Sequence, residues 1–252
     1  AAGAQYLAGM LQVNGVLTSV NLLYNDLGEG AAAVAAAAEQ QGNIKTLCGI
    51  SADQTAVDFR RKTDMHPSLN AADAVLLGFD LKFNRALTSL NLRFNEIGAG
   101  GAKAIAHALQ QSTLRRLTIN VTLDIEQLKT STSIDLSSKG LRYEEAIIVA
   151  KCMEFNRALE SANLSSNKLG TDGIRALCDA LKTNNSLESL TIRNPDSSDP
   201  QIDAASAQLI ADMLAVNRAL NSVDLRSNQI PDEGKQQLRD AAVKGKNSAL
   251  QL

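Results

Sequence analysis

The sequence predicts an α/β solenoid: short parallel strands forming a curved sheet on the concave side, helices on the convex side. Three observations carry this. Four segments align without gaps, LTSVNLLYNDLG from Leu17, LTSLNLRFNEIG from Leu87, LESANLSSNKLG from Leu159 and LNSVDLRSNQIP from Leu220. Each reads L-x-x-(L/V/A)-x-L-x-x-N-x-(L/I), an alternation of period two that changes to helical spacing after the Asn. The 252 residues are 44 % hydrophobic but only 3 % aromatic, with no Trp, so the core is aliphatic.

Each element follows in turn. Leu90 and Leu92 stand two apart and point inward from one short strand. Asn25, Asn95, Asn167 and Asn228 follow the strands, and an amide that both donates and accepts suits a buried ladder satisfying backbone groups of adjacent coils. The unit closes after about 28 residues with a shorter copy, LRRLTI at 114–119 and LESLTI at 187–192, and a third kind of strand is AVDF at 56–59 and SIDL at 133–136. Apolar spacing predicts helices over Ala2–Val13, Ala71–Phe83, Tyr143–Phe155 and 203–216, each ending in VNGVL, FNRAL or VNRAL. Further helices are expected over 100–109, 173–181 and 232–244, and the alanine run at 31–38 also reads as a helix. The tail 245–252 reads as a last strand or a frayed end. Strand–helix units of this kind bury their faces only by stacking.

Two junctions are short. Leu47 to Val57 and Ile119 to Ile134 leave no room for a full helix, so loops or one-turn connections are expected, unless one of the paired strands is no strand. The polar stretch RNPDSSDPQ at 193–201 reads as a loop projecting from a rim. Residues 1–17 align with 71–87, so the chain opens inside a repeat helix. The expectation is one domain over 1–252, a stretch of a longer array.

The N-x-(L/I)-G-x-x-G-(A/I)-x-A-(I/L)-x-x-A-L unit resembles the ribonuclease-inhibitor-like subclass of leucine-rich repeats. Asn95, Ile97, Gly98, Gly101, Ile105 and Leu109 carry the match, as do Asn167, Leu169, Gly170, Gly173, Leu177 and Leu181. The resemblance implies a leucine-rich repeat solenoid over nearly the whole chain. It implies a non-catalytic protein-interaction or scaffolding module, or a structural subunit of a larger assembly. Other members of the subclass offer three alternatives: a GTPase-activating protein resembling the Ran activator, a cytoskeletal or axonemal subunit, and the sensor region of a nucleotide-binding immune receptor. Ribonuclease inhibitors of the subclass are Cys-rich and acidic. This chain departs from them, with three Cys and a net charge of −2.

The residues between the strand leucines face the concave surface, which is either a solvated polar sheet or a partner surface. As a protein-binding surface its candidates are Asn21, Leu23, Tyr24, Asn91, Arg93, Phe94, Asn163, Arg193, Asp224 and Arg226. Tyr24 and Phe94 occupy equivalent positions in a chain poor in aromatics, and exposed aromatics and Arg dominate interface energetics.

No catalytic centre, cofactor or metal site emerges. GAGGAK at 98–103 has the look of a phosphate-binding turn, but NKLGTDG occupies the same turn of the repeat without the extra glycine. Asp196, Asp199 and Asp203 lack the alternation and central Gly of a calcium loop. His66 and His107 are isolated from one another and from the cysteines. Cys152 and Cys178 lie among helical apolar residues and read as buried thiols, which fits a reducing, intracellular and cytoplasmic setting. Near-neutral charge gives no electrostatic reason to bind nucleic acid, and Arg60, Arg61 and Lys62 form the only tight basic run. No apolar run approaches the ~20 residues of a membrane span. The expected partner is another protein or a multi-subunit assembly, without nucleic acid or membrane insertion.

Overall fold

A computed structural model describes residues 2–63, 65–195, 202–245 and 249–252. The chain divides into two compact units, Ala1–Ile125 and Glu126–Leu252.

The first unit runs α1 (Ala2–Val13), α2 (Gly30–Gln41), β1 (Ala56–Asp58), α3 (Ala71–Phe83), β2 (Ser89–Asn91), α4 (Gly98–Ala108), β3 (Arg116–Thr118) and β4 (Thr122–Asp124). β1, β2 and β3 pair in parallel, in the register Ala56–Ser89–Arg116. β4 pairs antiparallel with β3, Leu117 opposite Leu123. A six-residue helix, α5 (Ile125–Thr130), follows. The second unit continues with β5 (Ser133–Asp135), α6 (Tyr143–Phe155), β6 (Ser161–Asn163), α7 (Gly170–Leu181), β7 (Ser189–Thr191), α8 (Ala204–Val216), β8 (Ser222–Asp224), α9 (Asp232–Gly245) and β9 (Ala249–Gln251). Its five strands are all parallel and lie in sequence order.

The helices at Ala2–Val13, Ala71–Phe83 and Tyr143–Phe155 have the expected bounds, and the tail forms a strand. Two expectations fail. The motif at Leu17 forms no strand: it meets the 46–48 segment through two isolated bridges, Ser19 with Thr46 and Asn21 with Cys48. Its sequence is competent, but the second bridge has the opposite sense from the first, so the ladder breaks. The 119–134 junction is more than a connection, because the chain doubles back through β4 before α5. The loop 193–201 lies outside the described residues from position 196 on, so its projection from a rim is not on view.

Every strand buries its central residue and leaves the two flanking ones exposed or half-buried, except β9, whose centre is itself half-buried. One sheet face is therefore covered by helices, and the other carries short polar residues. Beneath lies an aliphatic core that includes Leu87, Leu90, Leu92, Ile97, Leu164, Leu169 and Leu225.

Close helix pairing explains the second glycine of the repeat. A Cβ on Gly101 would lie 2.7 Å from Ala74 Cβ, and one on Gly173 would lie 2.7 Å from Ala146 Cβ. Gly234 meets Ala207 and Gly30 meets Ala4 in the same way. So α1 with α2, α3 with α4, α6 with α7 and α8 with α9 each touch through a Gly–Ala contact. Gly101 of GAGGAK is thus a packing residue. The first glycine of each turn has another role: Gly98 and Gly170 stand at φ 59° and 63°, where a Cβ costs energy.

Two asparagine ladders tie neighbouring coils together. In the first, the Asn95 amide donates to the carbonyls of Phe59 (2.8 Å) and Leu92 (2.9 Å) and accepts from Leu69 N–H. Asn167 donates to Leu136, Leu164 and Ser165 and accepts from Leu141 N–H at 3.0 Å. Asn228 donates to Ile192 and Leu225, while its buried Oδ1 has no hydrogen-bond partner among the described residues. Asn25 departs from the expected buried role, because it is exposed and bonds only carbonyls of its own turn, Leu22 and Leu23.

The second ladder sits where helices end. Asn84, Asn156, Asn184 and Asn217 are buried. Each accepts from a backbone N–H two residues on, and Asn84, Asn184 and Asn217 also from the next one. Each also donates to a carbonyl of the preceding coil: Ser51, Ser131, Met153 and Leu181 respectively. Helix starts are fixed locally. Asn70 and Asp73 form a reciprocal capping box at α3, and Asp203 accepts from Ser206 N–H at α8. Asp203, weighed above as a cation ligand, is thus a helix cap, held below the usual carboxylate range chiefly by Ser206. Asp196 and Asp199 lie outside the described residues.

Candidate functional site

The open strand face is arranged in rows. The row at the last strand residue holds Asp58, Asn91, Asp135, Asn163, Thr191 and Asp224, with Asn21 at the equivalent point of the first motif. Six of these side chains share one task. Asn21, Asp58, Asn91, Asp135, Asn163 and Asp224 each accept, through Oδ1, the N–H two residues on, at 2.9–3.1 Å. This Asx turn closes the strand. Asn21, Asn91, Asn163 and Asp224 were proposed from sequence as partner contacts. Their carboxamides and carboxylate take part in shaping the chain, which gives the Asn/Asp pattern a structural role.

The next row diverges. Arg93 and Arg226 are exposed and Arg193 is half-buried, but Leu23 is only 6 % exposed and Ser165 is also buried. Leu23 is therefore no surface candidate. Exposing a Leu side chain forfeits about 2 kcal/mol of burial, and the turn lets it fold inward. The Arg93 guanidinium lies over the Phe94 ring, 4.9 Å from its centre. Asp224 sits between two arginines: Arg226 donates from Nε at 3.0 Å and from Nη2 at 2.8 Å, and Arg193 Nε is 3.9 Å away. The two guanidinium groups, Arg226 first, hold the Asp224 carboxyl below its usual range.

The third row contains the residues that stand out. Tyr24, Phe94, Ser166 and Ser227 occupy one turn position, with φ of 64°, 66°, 55° and 62°. A left-handed backbone is rare for non-glycine residues and rarer for bulky ones. Tyr24 is 45 % exposed and Phe94 60 % exposed. Tyr24 N–H donates to Asp73 Oδ1 at 2.8 Å, so the α3 cap also holds this turn.

Among the described residues no three His, Cys, Asp or Glu side chains group so as to hold a metal ion. Burial pushes the thiols of Cys152 and Cys178 up to about 12, and that of Cys48 well above its usual range. All three are free and buried, as read from the sequence for Cys152 and Cys178, and protonated thiols are poor nucleophiles. His66 bonds Thr63 through Nδ1, and His107 bonds the Lys103 carbonyl.

Asp80 was missed in the sequence. It is buried in α3, where its carboxylate accepts from Thr46 Oγ1 at 2.5 Å and Leu47 N–H at 2.7 Å. Thr46 Oγ1 in turn accepts from the N–H groups of Cys48 and Ile50. Burial raises Asp80 to about 6 against these hydrogen bonds, which favour its ionised form. The cluster secures the loop that stands where a helix is lacking. Among the described residues no helix is long and apolar enough to cross a membrane.

Comparison with known proteins places this geometry. The family described as Leucine Rich repeat matches residues 83–106, 155–178 and 216–235, each beginning in the VNRAL or FNRAL element. The ribonuclease inhibitor of Sus scrofa is 28 % identical over 94 % of the chain, and that of Mus musculus is 25 % identical over 90 %. The chain spans 58 % and 43 % of those proteins' own lengths. The NACHT, LRR and PYD domains-containing protein 14 of Mus musculus is 25 % identical over 61 % of the chain, which covers 14 % of that protein. Repeat motif, strand–helix alternation and likeness across most of the chain agree, and the chain is a ribonuclease-inhibitor-like leucine-rich repeat protein.

Proposed function

We propose that the chain is a non-catalytic protein-interaction module that receives its partner on an open strand face, with Tyr24, Arg93 and Phe94 as the candidate contacts of the first unit and Arg193 and Arg226 as those of the second. The observation that carries this is the pair Tyr24 and Phe94. Two exposed aromatics sit at equivalent repeat positions on a backbone that disfavours them, while Ser fills the same turn in three other repeats, at Ser138, Ser166 and Ser227. A side chain kept against both solvation and backbone preference points to a role outside the fold. Ribonuclease inhibitors bear in their name an action on another protein, which supports the same class of function here. The likeness to NACHT, LRR and PYD proteins, in which the matching stretch is a small part of a longer chain, supports a second reading: a recognition segment within a multidomain receptor.

The test is affinity capture from the native source with mass spectrometry, comparing wild type with the Arg93→Ala, Phe94→Ala, Arg226→Ala triple variant. A protein lost only with the variant supports the strand-face reading. Equal recovery from both moves the contact to the helices or rims and favours a structural subunit.

A further inference from the structure

We propose that the row at the strand exits docks an acidic segment of a protein partner, with Arg93 taking a carboxylate beside an apolar side chain that packs against Phe94. This deepens the strand-face reading and rests on it.

Strand register places arginines side by side in both units. Asp58 pairs with Asn91, so Arg60 adjoins Arg93; Thr191 pairs with Asp224, so Arg193 adjoins Arg226. The other members of the row in the second unit, Ser137 and Ser165, are uncharged. This cationic row occurs in a chain whose net charge is −2, so it does not follow from composition.

In the first unit the nearby anions leave the row exposed. Asp58 lies 3.5 Å from Arg60, with both side chains about half exposed, where water weakens the attraction. Glu96 is 3.7 Å from Arg61, outside the row. In the second unit Asp224 lies against both Arg193 and Arg226, and its two hydrogen bonds go to Arg226. Among the described residues no carboxylate lies within salt-bridge distance of Arg93, whose guanidinium is held instead by the Phe94 ring. A guanidinium attracted to an aromatic face still has N–H donors to offer, and its planar fork can grip a carboxylate with two hydrogen bonds. Phe94 supplies an apolar surface beside it. Together they suit an acidic residue next to an aliphatic or aromatic one.

The test uses the whole chain, labelled with nitrogen-15. Three probes are titrated: a decapeptide of alternating Glu and Leu, its Lys and Leu counterpart, and a single-stranded thymidine decamer. The expected result is binding of the Glu peptide alone, with amide shifts centred on Arg60, Arg93 and Phe94, weakening as salt rises. Arg93→Ala should lower that affinity by about tenfold, and Arg93→Lys by several-fold because the fork is lost. Phe94→Gly, which suits the left-handed turn and should fold, should also weaken it. Equal binding of the Lys peptide, tighter binding of the nucleotide, unchanged affinity in Arg93→Ala, or no shift at millimolar Glu peptide each overturns the proposal. Shifts confined to other strand rows, such as Asn163 and Thr191, overturn it but leave the strand-face reading intact. Shifts confined to the helices overturn both.

Discussion

Replacing Asn167 by alanine removes four hydrogen bonds at once and shows how far the asparagine ladder holds the second unit together. Three run from its amide to the carbonyls of Leu136, Leu164 and Ser165, and one comes from Leu141 N–H. Leu141 and Leu164 are buried, so their freed backbone groups find no water, whereas Leu136 is partly exposed and does. One orphaned N–H at about 1–3 kcal/mol and one weakened carbonyl at about 1 kcal/mol give a loss of roughly 3 kcal/mol. Asn25→Ala is the internal control. That side chain is exposed and bonds only its own turn, so its loss should cost under about 1 kcal/mol. Urea denaturation followed by circular dichroism measures the total. Hydrogen exchange at the Leu141 amide reads the local event, with exchange expected to accelerate about a hundredfold in Asn167→Ala. Comparable losses in the two variants, or unchanged protection at Leu141, would refute the idea that cross-coil bonding rather than turn geometry is what the buried Asn supplies.

Other consequences are as direct. Gly173→Ala should destabilise by roughly 1–2 kcal/mol despite alanine's better helix propensity, since its Cβ lands 2.7 Å from that of Ala146; adding Ala146→Gly should restore part of the loss in a double-mutant cycle. Leu90→Asp should unfold the first unit by placing a charge in the core, while Arg93→Ala should leave the melting temperature nearly unchanged; similar melting of both would displace the face assignment by one residue. Phe94→Gly should raise stability by up to about 1 kcal/mol, because a left-handed backbone costs glycine little; a clear loss would show that the ring packs for the fold. Asp80 gives a pH signature. Its folded value of about 6 exceeds the usual carboxylate value, so between about pH 4 and 6 the folded state keeps a proton that the unfolded state releases. Stability from this group therefore falls as pH rises through that window, by at most about 3 kcal/mol. Asp80→Asn retains an acceptor for Leu47 N–H and should flatten that slope; an identical pH profile would remove the assignment.

The regular parts of the fold were legible because they rest on local signals. Leu90 and Leu92 announce an inward strand face, and the helical spacing of apolar residues gives the bounds of α3 and α6 to the residue. What escaped depends on partners distant in sequence. The repeated Asn of VNGVL and FNRAL resembles an ordinary helix stop, yet Asn84 acts by reaching the Ser51 carbonyl, 33 residues earlier. Asp80 looks like the polar side of a helix until Thr46 closes over it. β4 is three residues long and follows a turn without the Asn-Gly signature of a tight hairpin. The motif at Leu17 has the composition of a strand, but a strand is defined by its neighbour's hydrogen bonds. On the candidate face, the Asx turn was a local signal and could have been found, since the Asn/Asp column recurs two residues before an N–H in need of an acceptor. Leu23 was misplaced because periodicity ends where the strand ends.

That Asx turn bears on which side chains such a surface can carry. It ends each strand using a backbone N–H, which every residue but proline supplies, so the identity of the donor is free. Leu23, Arg93, Ser165 and Arg226 all fill the donor's place, and Tyr24, Phe94, Ser166 and Ser227 the place after it. The turn thus asks little of the donor's side chain, while the left-handed backbone of the next position favours small residues, so the two positions are free to different degrees above one frame of leucines and asparagines.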